Sequence, residues 1–203
     1  MKTRQLYTII LLTLLITGCT SAKKSSVQKD VSVNVPLDST GHVDLEKLFV
    51  NTKEIVQANL PKAEYGSTSL KVPCDDTSLS QGMITFLFKE RRKIWLGLKE
   101  QVLFSYVFID VQNGSLDFSI IDQTDHYPSL SRYAAISNAD FYDVLGEIHN
   151  HLERNGFESC SLSVSQMDDY WDVSVLSNDN TEYLDIFGIK ADNKQVIDYP
   201  IVK

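Results

Sequence analysis

A chain of 203 residues and 22.9 kDa, 43% hydrophobic and 23% charged, has the make-up of a globular protein with a sizeable core, which excludes intrinsic disorder. Lys and Arg number 19 against 27 Asp and Glu, a formal charge of −8 at pH 7. That balance argues against a nucleic-acid partner held by phosphate neutralisation.

In chain order the first feature is an export signal. Lys2 and Arg4 make a short positive region, Ile9 to Ile16 an apolar one, and a small-residue site follows. From Leu6 to Thr17 the apolar stretch would be roughly 18 Å long as a helix. A hydrocarbon core is about 30 Å thick, so this segment is too short for a comfortable permanent span. The site Ile16-Thr17-Gly18-Cys19 resembles the lipobox of bacterial lipoproteins, an aliphatic residue, a small residue, Gly or Ala, then Cys. The resemblance implies that residues 1–18 are a signal peptide, that cleavage makes Cys19 the first mature residue, and that its thiol is diacylated with palmitate-like chains. One acyl chain binds a bilayer marginally, and two or more hold stably. Thr20, where an Asp would retain a Gram-negative lipoprotein at the inner membrane, implies an outer-membrane location facing the periplasm.

Removing Lys2 and Arg4 from the 19 basic residues, against 27 acids that all follow Cys19, leaves the mature chain a formal charge of −10. Anionic headgroups repel such a body, so the lipid is expected to do the anchoring. Residues 19–41, rich in Ser, Thr, Lys and Asp, read as a lipidated flexible tether, whose reach as a coil is roughly 25 Å.

Three cysteines become an even pair once Cys19 is lipidated, leaving Cys74 and Cys160. Outside the cytoplasm a disulfide between them is expected, contributing roughly 4 kcal/mol in the chain-entropy model. The alternative is two separate buried thiols acting as small hydrophobes.

Two stretches predict helices. Asp44 is an N-cap before Leu45, Leu48, Phe49, Thr52, Ile55, Val56 and Leu60 at three- and four-residue steps, and Pro61 stops the run. Ser137 caps the second, where Phe141, Leu145, Ile148 and Leu152 recur before Gly156. The other apolar runs are strand-like: 83–88, 102–109, 116–120, 160–164, 171–175, 183–189 and 195–197, with Asn113-Gly114 as a hairpin signal. The pattern predicts an α+β class made of two tandem units, residues 42–136 and 137–203. Each would be a helix followed by about four antiparallel strands, a cystatin-like arrangement.

Residues 138–198 also resemble the PepSY family. They run helix, strand, a strand opening Tyr170-Trp171-Asp172-Val173, a polar turn, and a last strand near Ala191-Asp192-Asn193-Lys194-Gln195-Val196-Ile197, with Lys194 where that family often has Gly. The resemblance implies a small envelope domain that binds or inhibits other proteins, without catalysis.

No catalytic template is met. There is no Gly-x-Ser-x-Gly elbow, phosphate loop or dinucleotide fingerprint, and no Cys/His set has zinc spacing. His149 and His151 point about 200° apart on a helix and cannot share a metal; His149 and Glu153 are placed to pair along the helix. Asp75-Asp76 and Asp168-Asp169 read as turn acids. No metal or cofactor is implied. The basic cluster Arg91, Arg92 and Lys93 beside Trp95, together with Tyr170 and Trp171, supplies the candidate partner contacts; the competing reading is a solvated hairpin end with core aromatics. The expectation is a non-catalytic, lipid-anchored envelope protein that binds another protein, in an inhibitor or immunity role. The alternatives are an accessory subunit of an envelope assembly or secretion complex, and a hydrolase without a recognisable motif.

Overall fold

The computed structural model describes residues 26–94, 99–122, 137–157, 159–167 and 169–199. Among the described residues two helices, α1 (Leu45–Asn59) and α2 (Asn138–Asn155), accompany nine strands. The strands are β1 (Ser26–Ser32), β2 (Glu64–Pro73), β3 (Met83–Ile94), β4 (Lys99–Asp110), β5 (Ser115–Asp122), β6 (Cys160–Gln166), β7 (Tyr170–Ser177), β8 (Tyr183–Lys190) and β9 (Val196–Asp198).

Local chemistry sets the helix ends. The Asp44 carboxylate accepts the Lys47 N–H at 3.0 Å, and the Leu60 N–H closes α1 on the Val56 carbonyl before Pro61. Gly156, in the left-handed region at φ 72°, ends α2. There the Gly156 N–H reaches the Glu153 carbonyl and the Phe157 N–H the Leu152 carbonyl, so two orphan acceptors are satisfied.

The strands form one antiparallel sheet in the order β1-β5-β4-β3-β2-β6-β7-β8-β9. This overturns the expectation of two tandem helix-plus-four-strand units: the chain is mainly β, with a single sheet and a single core. The cause is the pairing of β2 with β6, which runs from Ser69 opposite Ser165 to Pro73 opposite Ser161. Each strand had one partner from its own half of the chain and an edge of unpaired N–H and C=O groups; joining the two edges satisfies both rows.

Strand β2 is the centre of the sheet, and its sequence hides it. Its buried positions are Gly66, Thr68, Leu70 and Val72, with few large apolar groups. A bulge between Tyr65 and Ser67 sets Gly66 out of register, a common use of glycine within a strand. Strand β1 falls inside the stretch read as a tether, and pairs with β5 from Ser26 opposite Ile120 to Ser32 opposite Ser115.

Both helices lie on the same face. Phe49 of α1 packs on Phe86 and Phe88, and Phe141 of α2 packs edge-on to Trp171 at 5.4 Å. Register carries that face across the seam, since Leu70 stands opposite Ile84 on one side and Val164 on the other, and Val164 opposite Val173. The result is one continuous buried layer from Leu116 to Ile189.

Two covalent or polar ties hold the β2–β6 seam. Cys74 is disulfide-bonded to Cys160, and the Cys74 N–H donates to the Cys160 carbonyl at 3.0 Å. At the other end the Tyr65 hydroxyl donates to Gln166.

Candidate interaction surface

With both helices on one side, the second face of the sheet carries the alternate residues of every strand. Near the seam these are small and hydroxylated. Ser69 stands opposite Thr85 and Ser165, and Ser163 opposite Lys71 and Ser174. Towards β4 the surface turns aromatic. Phe104, Tyr106 and Phe108 follow one another at every second position, with Tyr106 and Phe108 stacked at 6.3 Å and 9°. Burial falls along this ladder: Phe104 is covered, Tyr106 half-buried, and Phe108 39% exposed. Met83, 45% exposed, stands one strand over and two residues along, next to Thr85, which pairs with Phe108. An exposed aromatic beside an exposed methionine is the composition of an interface centre.

Sequence reasoning did not single out this ladder. The signal was the run 102–109, apolar at both parities, because a strand with one solvated face should alternate.

The residues singled out from the sequence do not converge. Trp171 is 4% exposed and faces inward onto Phe141. Tyr170 does reach the open face, where it and Tyr199 sit over Gly188; a Cβ there would stand 2.6 Å from the Tyr199 hydroxyl and 3.4 Å from the Tyr170 ring. Arg91, Arg92 and Lys93 lie on β3, three strand spacings or roughly 14 Å to the side of β7. Arg92 is turned inward by the buried Glu90, whose other oxygen accepts the Lys62 N–H at 2.9 Å. Arg91 pairs with Glu100 at 3.6 Å, both exposed. Trp95 and Cys19 lie outside the described residues.

Titratable groups are tied into structure. The His149 Nδ1–H donates to the Leu145 carbonyl at 2.7 Å in place of the expected Glu153 pairing, and His149 Nε2 is buried without a partner among the described residues. His151 Nε2 meets Asp185 at 2.9 Å, and its ring packs on Phe187, linking α2 to β8. Asp76 is 5% exposed. Burial opposes its charge, but the Gln81 and Ser78 N–H groups and the Ser78 hydroxyl hold its carboxyl below the usual range. On the open face burial pushes the Asp172 carboxyl up. The Tyr142 hydroxyl, which donates to the Val43 carbonyl, is pushed well above its ordinary value by burial and by the carboxylates of Asp38, Asp76 and Asp44.

A shallow depression of about 360 Å³ lies beside the disulfide, lined by Lys71, Pro73, Gln81, Met83, Asp110 and Ser161 among others. Its lining holds no histidine and no paired carboxylates for acid–base work. Among the described residues no group of three His, Cys, Asp or Glu side chains is placed to hold a metal, and no helix is long and apolar enough to cross a membrane.

No family model matches the chain, and no curated protein matches it in sequence. Among solved structures, the full-length peroxisomal multifunctional enzyme type 2 from Drosophila melanogaster aligns with a TM-score of 0.23 and 10% identity, over 97% of this chain and 51% of that one. The chain spans about half the length of that protein, and a likeness at this level carries no argument about fold or activity.

Proposed function

We propose that this is a lipid-anchored protein of the bacterial cell envelope whose body binds another protein, without catalysis, through the face of its sheet opposite the two described helices. One observation carries the binding half of the reading: a nine-stranded sheet with both helices on one side presents Tyr106, Phe108 and Met83 on the other. The anchoring half rests on the residue order up to Cys19. The partner is a basic protein, since a chain of formal charge −8 favours encounter with positive surfaces. An inhibitor or immunity role fits a binding surface that lacks acid–base or nucleophilic machinery.

The test places a photo-crosslinking side chain at Phe108 and, as a control on the helix side, at Lys53 of α1, in cells that make the full chain. The expected result is one stoichiometric adduct from position 108 and none from 53, together with a Cys19-dependent mass increase from acyl chains. Repeated recovery of uncrosslinked protein from detergent-solubilised envelopes would remove the binding reading, and an uncut, unmodified chain would remove the anchoring one.

A further inference from the structure

The β3–β4 hairpin is longer than the sheet around it. Strand β2 keeps pace with β3 as far as Glu64 opposite Lys89, and β5 keeps pace with β4 as far as Asp122 opposite Leu103. Beyond those pairs the two strands run on together, from Arg91 opposite Val102 to Ile94 opposite Lys99. At about 3.4 Å per residue the paired arms of this overhang run on for roughly 14 Å, with the α1–β2 link beside them, where the Asn59 carbonyl accepts from Arg92 and the Lys62 N–H donates to Glu90. The overhang carries Arg91, Arg92, Lys93 and Lys99 against Glu90 and Glu100, a local positive excess in an acidic chain. The Glu90 charge is buried and directed inward, whereas Arg91, Lys93 and Lys99 are exposed.

The opposite end of the same strands has the opposite sign. Segments 74–82, 110–115 and 177–183 hold Asp75, Asp76, Asp110, Asp179 and Glu182, and no Lys or Arg. The turns at the overhang's own end also carry Asp169 and Asp192, beside Lys194, so the positive excess belongs to the overhang and not to that whole end of the sheet.

The chain also enters at the end that carries the overhang. Ser26, the first residue of β1, stands opposite Ile120, which stands opposite Ser105, which stands opposite Phe88, the residues next to the overhang. Cys19 precedes Ser26 by seven residues, which span at most about 25 Å of extended chain. Acyl chains on Cys19 would therefore hold the end of the body that carries the overhang, and not the end of the 74–82, 110–115 and 177–183 turns, at a bilayer.

We propose that the β3–β4 overhang docks on anionic phospholipid headgroups, with Lys93 and Lys99 contacting phosphates and Arg91 beside them. The strands then rise away from the bilayer, the 74–82, 110–115 and 177–183 turns point outward, and the second sheet face is left to the side for a partner. The anchor's part in this orientation rests on the lipoprotein reading; the headgroup contact does not need it. Phosphate contacts by Lys and Arg strengthen with anionic lipid and weaken with salt.

The experiment uses the acylated mature chain and a Cys19→Ser form made without residues 1–18, each mixed with phosphatidylcholine vesicles with and without phosphatidylglycerol. The Cys19→Ser form is expected to sediment with phosphatidylglycerol vesicles alone. The double variant Lys93→Glu/Lys99→Glu, with an unchanged melting curve, should lower that partition by about tenfold or more, and Asp179→Asn/Glu182→Gln should not lower it. A Cys19→Ser form that sediments with neither vesicle, binding that ignores phosphatidylglycerol, or binding that survives the double reversal overturns the proposal, and the first is the outcome expected if the overhang instead meets an acidic protein. Intact mass decides the anchor separately: an unacylated Cys19 with phosphatidylglycerol-dependent binding removes the lipoprotein reading and leaves the docking standing.

Discussion

Glu46 and Asn138, 92 residues apart, cap each other's helices. The Asn138 N–H donates to Glu46 Oε1 at 3.0 Å, and the Glu46 N–H donates to Asn138 Oδ1 at 3.1 Å. The Asn138 side-chain amide also donates to Asp44 Oδ1 at 2.8 Å. The N-terminal, partly positive ends of α1 and α2 thus meet around two carboxylates, which stabilise both. Ser137 makes no side-chain cap bond, so α2 takes its capping oxygen from the other helix.

Asn138→Ala should therefore destabilise the protein by about 1–2 kcal/mol, more than a surface substitution would. Glu46→Ala should cost about 1 kcal/mol, and the double variant less than the sum, because the two residues act as one unit. Urea unfolding of the four proteins measures this; strict additivity would show that the helix ends are capped independently.

Reduction of the Cys74–Cys160 bond should lower stability by roughly 4–5 kcal/mol, given its sequence separation of 86. A chain of this size should then melt on the order of 10 °C lower. Thermal melts with and without a phosphine reductant, and of the double Cys74→Ala/Cys160→Ala variant, report it. Equal melting temperatures would mean that the β2–β6 ladder alone holds the seam.

Asp76 and Asp172 should respond to acid with opposite signs. The folded carboxyl of Asp76 lies below its unfolded value, so it adds stability above about pH 4 that is lost as pH falls through the folded value. Asp76→Asn is then destabilising at neutral pH, and the deficit narrows towards pH 3. Asp172 lies above its unfolded value, so its contribution is full below about pH 4 and is lost as pH rises. Asp172→Asn should be stabilising at neutral pH, with the gain disappearing in acid. Denaturation midpoints across this range compare the two.

Trp171 and Phe108 separate core from surface. Trp171→Ala removes a buried ring from beneath α2 and should cost about 3–5 kcal/mol. Phe108→Ser removes a partly exposed ring and should change stability by no more than about 1 kcal/mol while abolishing co-purification of the partner from detergent-solubilised envelopes. A Phe108→Ser protein that melts far below the parent would place that ring in the core instead.

What could be read from the residues alone is what depends on neighbours a few positions away. The Asp44 cap and Pro61 stop of α1, the Gly156 end of α2, and the left-handed Gly114 at the β4–β5 turn all belong to this class. Helical period and turn chemistry act within one or two turns of chain, so they leave a linear trace. The missed strand β2 marks the limit, because Gly66 and Thr68 suit a central strand beneath a helix yet resemble a loop on paper.

Tertiary structure alone decided that Ser69 lies beside Ser165, and with it that two apparent units are one sheet. That pairing spans 96 residues and is chosen by which open edges remain once local hairpins have formed, information held in no single segment. The same choice fixed the parity of every strand. Trp171 is buried and Phe108 exposed because register sends alternate residues to opposite faces and both helices settled on one of them.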